Sequence, residues 1–333
     1  MPATGRHALR LSGYAPALPT PFDGAGELDL PALERLCHRQ IDEGACALVV
    51  CGTTGEAPTL SRAEHDSVVR AAVRAAHGRI PVIAGAGSNS TSQAIELSRD
   101  AEAARADAVL SVVPYYNKPT QAGMIAHFRA VAESTGLPII VHDVPARTVC
   151  GLADDTIARL AELPQFIGLK DATGDVARPL RLRSLVGSEF RLLLADDATA
   201  LAFFAQGGDG CISVTSNVVP GLCRALYLAW MRGQIAQAQQ LAMAVARVTA
   251  ALQRDSDPAP VKYALSTMDL VSPRVRLPLV ELSSASRAEI DAVLARVSEK
   301  YPGYLIGKLA RRDQTADQPI IQSRLHRKFA VVS

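Results

Sequence analysis

Short apolar runs recur along the chain, separated by stretches in which apolar residues return every three or four positions. The runs are "YAPALPT" (14–20), "CALVVCG" (46–52), "IPVIAG" (80–85), "DAVLSVV" (107–113), "LPIIVHD" (137–143), "FIGLKD" (166–171), "FRLLLAD" (190–196) and "GCISVT" (210–215). A strand covered on both faces reads as a continuous apolar run, so these are eight predicted parallel strands. The stretches between them carry helix signals. Asp29 stands as an N-cap ahead of Pro31. Leu33, Leu36, Cys37 and Ile41 follow on one face, and Gly44 stops the pattern. "SRAE" (61–64) has the form of a capping box, and Ser90 with Gln93 offers a second. "DDTIARLAELP" ends before Pro164.

Eight strand–helix alternations predict an α/β fold, a (β/α)8 TIM barrel with a C-terminal helical extension. A doubly wound open sheet is the alternative. Even spacing without a second sheet pattern favours the barrel. The predicted domains are a barrel over 13–220 that carries the active site, a helical region over 221–300, and a polar, basic tail over 301–333.

Composition narrows the function classes. The 333 residues carry a formal net charge of +2, which gives no pull towards nucleic acid or a membrane surface. Hydrophobic residues make up 48% and charged residues 20%, as in an enzyme-sized globular chain. No apolar run reaches the length of a membrane span, and the N-terminus has no continuous apolar core of a secretory signal. The six cysteines (37, 46, 51, 150, 211 and 223) are scattered, and none forms a CxxC pair. They read as reduced, buried cysteines of a cytoplasmic protein rather than as metal ligands.

The barrel reading gives positions to the polar segments, because active sites of such barrels lie where the strands end. "GTTGE" (52–56) follows the second strand, "YYNKP" (115–119) the fourth and "HDVPART" (142–148) ends the fifth. Lys170 ends the sixth. A lysine in an apolar wall loses solvation in its charged form, which leaves free amine near neutral pH. Such an amine can form a Schiff base with a ketone or aldehyde, and the iminium is an electron sink. Position alone equally allows an ion pair with Asp171 or another carboxylate at the barrel rim. "GTTGE" can aim N–H groups at a carboxylate, or be a plain strand-to-helix turn. Arg147 can pair bidentately with a carboxylate. "GAGSNS" (85–90) matches a dinucleotide loop only in part, since serine stands for the third glycine. Asp196 and Asp197 disfavour a phosphorylated substrate.

In order and spacing, "GTTGE", "VVPYYNKPTQAG", "DVPART", "GLKDATG" and "GCISVTSN" resemble the dihydrodipicolinate synthase family, within the N-acetylneuraminate lyase group of class I pyruvate aldolases. The resemblance covers about residues 13–298. It implies a lyase that condenses pyruvate with an aldehyde such as L-aspartate 4-semialdehyde, as in lysine biosynthesis. It implies no separate cofactor, since the covalent Schiff base runs through Lys170. It also implies a homotetramer built as a dimer of dimers. Thr54, Gly52 and the turn around them would hold the pyruvate carboxylate, with Ile212 nearby. Arg147 would bind the second substrate's carboxylate. Thr53 and Tyr116 would belong to a proton relay, the tyrosine reaching across the tight dimer interface.

Two positions depart from that pattern. His142 stands where the third relay member, a tyrosine, is usual, and Asp143 where asparagine is usual. An imidazole with an unperturbed pKa of about 6.5 can also move protons. The change leaves the second substrate open. The alternative readings are a related 2-oxo acid aldolase or dehydratase, or a non-catalytic binding protein on the same scaffold. In the family's lysine-feedback site His65, Asn89 and Tyr115 match, while Gln93 replaces the usual glutamate, so feedback by lysine is not implied.

Overall fold

The computed structural model describes Leu9 and residues 11–304. Most of the predicted tail, residues 305–333, lies outside the described residues.

All eight predicted strands form. They are β1 (Gly13–Pro16), β2 (Leu48–Val50), β3 (Val82–Gly85), β4 (Ala108–Val112), β5 (Ile139–Asp143), β6 (Phe166–Asp171), β7 (Arg191–Leu194) and β8 (Gly210–Ser213). Most are shorter than their apolar runs, because pairing ends where the strands diverge at the rim. They pair in parallel in the order β1-β8-β7-β6-β5-β4-β3-β2. A bridge between Ala17 and Val49 joins the two ends of that order, with Leu18 N donating to Val49 O at 2.8 Å. The sheet therefore curls into a nearly closed barrel, not an open doubly wound sheet.

Alternating side chains divide the core in two. Ala15, Ala17, Val49, Ile83, Leu110, Ile140, Leu193 and Ile212 fill the lumen. Residues of opposite register, such as Val50, Val82, Val109, Val141 and Leu169, pack outward against the helices. Pairing is limited to nearest neighbours in the ring, and the register sets His142 beside Lys170, and Lys170 beside Leu193.

The helix signals account for the connections. Asp29 caps Leu30–Asp42 by accepting from Ala32 N at 2.9 Å, and Gly44 takes φ +85° just beyond the end. Ser61 and Glu64 complete the capping box of Arg62–Ala76. Ser90 makes only half of one. It accepts from Gln93 N, but the Gln93 side chain instead accepts from Ser88 Oγ at 2.6 Å.

Beyond β8 come helices Pro220–Met231, Ile235–Leu252, Ala259–Ser266 and Ser284–Lys300. The helical pattern is not continuous: residues 267–283 form no helix. Instead they run back to the barrel rim, where Arg276 donates to Gly26 O and to Glu64.

Candidate active site

The strand ends enclose a cleft of about 470 Å³, within the usual range for a small-molecule site. Gly52 and Thr53 line it from the β2 loop, His142 from β5 and Arg147 from the helix Pro145–Thr148. These four predicted residues are thus drawn together from segments far apart in sequence.

Lys170 sits one strand over from His142, with only 8% of its surface exposed. Its neighbour Asp171 points to the opposite face of β6, as strand alternation requires. There Asp171 accepts from Thr173 N at 2.8 Å and from Arg178 at 3.4 Å. An ion pair with Asp171 is therefore not what holds Lys170. Among the described residues its amine makes no hydrogen bond or ion pair. Burial lowers its pKa, with Arg147 adding to the fall. Cys211, Asp257 and Asp197 oppose it. A larger share of free amine at neutral pH follows.

His142 is buried, and its pKa is driven well below the usual histidine value by burial, with Lys170 and Arg147 adding to the shift. The unperturbed value near 6.5 therefore does not apply at this position. A cation there would lose hydration and face two other cations. Asp143, the second departure, points away from the cleft. Arg178 Nη1 donates to its Oδ2 at 2.8 Å, and Leu152 N at 3.2 Å. A buried arginine thus explains an acidic residue at that place.

The β2 loop is held rigidly. Glu56, at φ +53°, is fully buried and accepts from Lys262 Nζ and from Arg276 N at 2.9 Å. Thr20 Oγ1 donates to Gly55 O at 2.7 Å. Gly85 explains the partial glycine motif: a Cβ there would lie 2.0 Å from Cys51 O, so only glycine lets β3 approach the loop. The N–H groups of Thr53, Thr54 and Gly55 donate to no protein acceptor among the described residues. They form a turn suited to an anion. The Thr54 hydroxyl, however, is already engaged with Asp257 Oδ2 at 2.7 Å.

Four predicted residues do not line the cleft itself: Lys170 and Thr54 lie beside residues that do, and Ile212 and Tyr116 stand further apart. Ile212 is fully buried in the lumen beneath the mouth. Tyr116 is 88% exposed at φ +73° and does not enter this chain's own cleft, although its neighbour Tyr115 lines it. Of the feedback-site positions, His65, Tyr115 and the substituted Gln93 line the same cleft and Asn89 does not.

Asp257 and Lys262 were missed by the sequence reading. One signal was available. Lys262 interrupts the apolar "APVKYAL" just as Lys170 interrupts "FIGLKD".

The fold and the mouth define a barrel enzyme whose buried amine suits carbonyl chemistry. The chain belongs to the dihydrodipicolinate synthetase family, which residues 10–297 match. It is 51% identical over 282 residues to the 4-hydroxy-tetrahydrodipicolinate synthase of Roseobacter denitrificans, covering 85% of this chain and 97% of that one. With the synthase of the same name from Cereibacter sphaeroides it shares 50% identity over 284 residues, or 85% and 98% of the two chains. Among solved structures it resembles the chloride-inhibited dihydrodipicolinate synthase from Acinetobacter baumannii complexed with pyruvate. The TM-score is 0.83 at 42% identity, covering 85% of this chain and 98% of that one.

Proposed function

We propose that this chain is a 4-hydroxy-tetrahydrodipicolinate synthase that condenses pyruvate with L-aspartate 4-semialdehyde through a Schiff base on Lys170. The observation that carries the assignment of the lysine is its burial without a hydrogen-bonded carboxylate, one strand from His142 and above the lumen. The Lys170 amine adds to the pyruvate ketone, one proton is taken up, and water leaves to give the iminium. Loss of a methyl proton then gives an enamine, whose carbon attacks the aldehyde. The lysine itself is the electron sink, so the chemistry calls for no separate cofactor.

Around it, the free N–H groups at Thr53, Thr54 and Gly55 suit the pyruvate carboxylate. Arg147 is exposed and lines the cleft, and among the described residues it has no ion pair, which suits a second carboxylate. Gly52 leaves the loop open, and Ile212 floors the site. Thr53 and a neutral His142 pass protons. Tyr116 serves the cleft of a second copy, which accords with its exposure and with a homotetramer built as a dimer of dimers. The six unpaired cysteines accord with a cytoplasmic setting.

Borohydride reduction in the presence of pyruvate should add one pyruvate-derived mass at Lys170. An unmodified Lys170 peptide, or an adduct on another lysine, would overturn the assignment. His142 favours a second reading, in which the same enamine attacks a different aldehyde. Turnover across a panel of aldehydes separates the two.

A further inference from the structure

The loop ahead of helix Ala259–Ser266 brings to the mouth a carboxylate that the roles above leave unexplained. Asp257 Oδ2 accepts from Thr54 Oγ1 at 2.7 Å. Its Oδ1 is buried and accepts no hydrogen bond from the protein. A carboxylate oxygen out of water without a donor is costly unless a cation faces it.

Three charged groups act on Asp257, one from each neighbouring element. They are Arg147 after β5, Lys170 on β6 and Glu56 after β2. Glu56 is already neutralised by Lys262. Arg147 is exposed, where solvent weakens its pull. Lys170 is the buried cation without a partner. Seen from Lys170, the candidate anions are Cys211, Asp257 and Asp197. Burial, with Asp197 beside it, keeps the Cys211 thiol protonated. Asp197 has both oxygens occupied, by Cys211 Sγ and by the N–H groups of Val214 and Thr215. Only Asp257 retains a free acceptor.

We propose that Asp257 is a positioning residue that holds Thr54 with one carboxylate oxygen and serves as counter-charge to Lys170 with the other. This rests on the Schiff base proposed at Lys170. There the ammonium and the ketone give an iminium and water. The C=O bond is exchanged for a C=N bond, two ammonium hydrogens leave with the ketone oxygen, and the positive charge stays on nitrogen. A fixed anion therefore faces a cation at both ends of the step and need not reorganise.

Asp257→Asn keeps the volume and the acceptor for Thr54 but removes the charge. The experiment traps the pyruvate adduct with cyanoborohydride across pH and reads the mass at Lys170, with folding checked by circular dichroism. The midpoint above which Lys170 reacts should fall by about 1–3 pH units, the usual effect of losing a nearby opposite charge. Asp257→Glu, which keeps the charge, should return it towards the wild-type value. Asp257→Ser is read in the same way where asparagine is not tolerated. An adduct on Lys170 with an unmoved or raised midpoint overturns the counter-charge role alone. So does a glutamate variant that behaves like the asparagine one. Absence of any adduct on Lys170 in the wild-type protein overturns the Schiff-base reading, and this role with it.

Discussion

Lys170 at the end of β6 and Lys262 in helix Ala259–Ser266 are the two buried lysines among the described residues. Lys262 is saturated. Its amine donates to Glu56 and, at 2.8 Å, to Arg274 O, and it lies 4.1 Å from the Phe22 ring centroid. Burial lowers its pKa, and Glu56 counters the fall. Lys170 has none of these contacts, and its surroundings include the exposed Arg147 rather than a bonded carboxylate. A buried charge with every donor used is a strut; one left unsatisfied beside a cleft is a reagent in waiting. Burial alone does not separate the two. Partnership does.

The sharpest break of this comparison is to delete each lysine in turn. Lys170→Ala should lower turnover by on the order of 10⁴-fold or more and abolish the pyruvate adduct, because no other group supplies the electron sink. Its thermal midpoint should move little, since a desolvated cation is removed while the Asp257 carboxylate loses its counter-charge. Lys262→Met should do the reverse. Stranding Glu56 without its cation should cost about 3–5 kcal/mol in denaturant unfolding. Adding Glu56→Gln to it should recover part of that loss, which a double-mutant cycle would read directly. A Lys262→Met protein of unchanged stability would remove the contrast.

His142 sharpens the picture on the Lys170 side. His142→Phe should slow turnover by about 10²–10⁴-fold, the worth of one proton-transfer group. Because burial, with Lys170 and Arg147 adding to it, holds His142 neutral, the wild-type rate should show no histidine limb between pH 6 and 8. The folded pKa is driven well below the usual histidine value, so the neutral form is favoured across that window and protonation is pushed to lower pH. A limb near pH 6.5 that vanishes in His142→Phe would show the imidazole to be better solvated than its burial indicates.

The smallest effect is expected at Arg147, the exposed cation of the site. Arg147→Ala should leave adduct formation at Lys170 largely intact. It should weaken condensation by about 2–4 kcal/mol through the lost pairing with the second carboxylate. Single-turnover trapping and steady-state kcat/KM separate the two steps. Equal losses in both would move Arg147 to the pyruvate side of the cleft.

The barrel was legible because its signals are local. Each strand is a short apolar run, and each helix start is a cap written within four residues, as at Asp29 and Ser61. Where a signal needed a second partner it failed. Ser90 and Gln93 fit the capping-box spacing, yet Gln93 turns to Ser88 instead. Gly52, Thr53, His142 and Arg147 line one cleft, with Lys170 paired beside His142 in the sheet, because in a barrel topology fixes which end of every strand is open.

What the sequence determined by itself was therefore the eight-strand alternation, the family motifs and the oddity of a lysine closing an apolar strand. The tertiary structure alone decided which buried charges meet. Thr54 and Asp257 are 203 positions apart, and Glu56 and Lys262 are 206 apart. It also turned Asp171 and Asp143 away from the cleft and onto Arg178. Periodicity is a property of neighbouring residues and is set by backbone geometry. Whether a charge is paired depends on what the closed barrel and its returning C-terminal segment bring against it, and no local pattern carries that information.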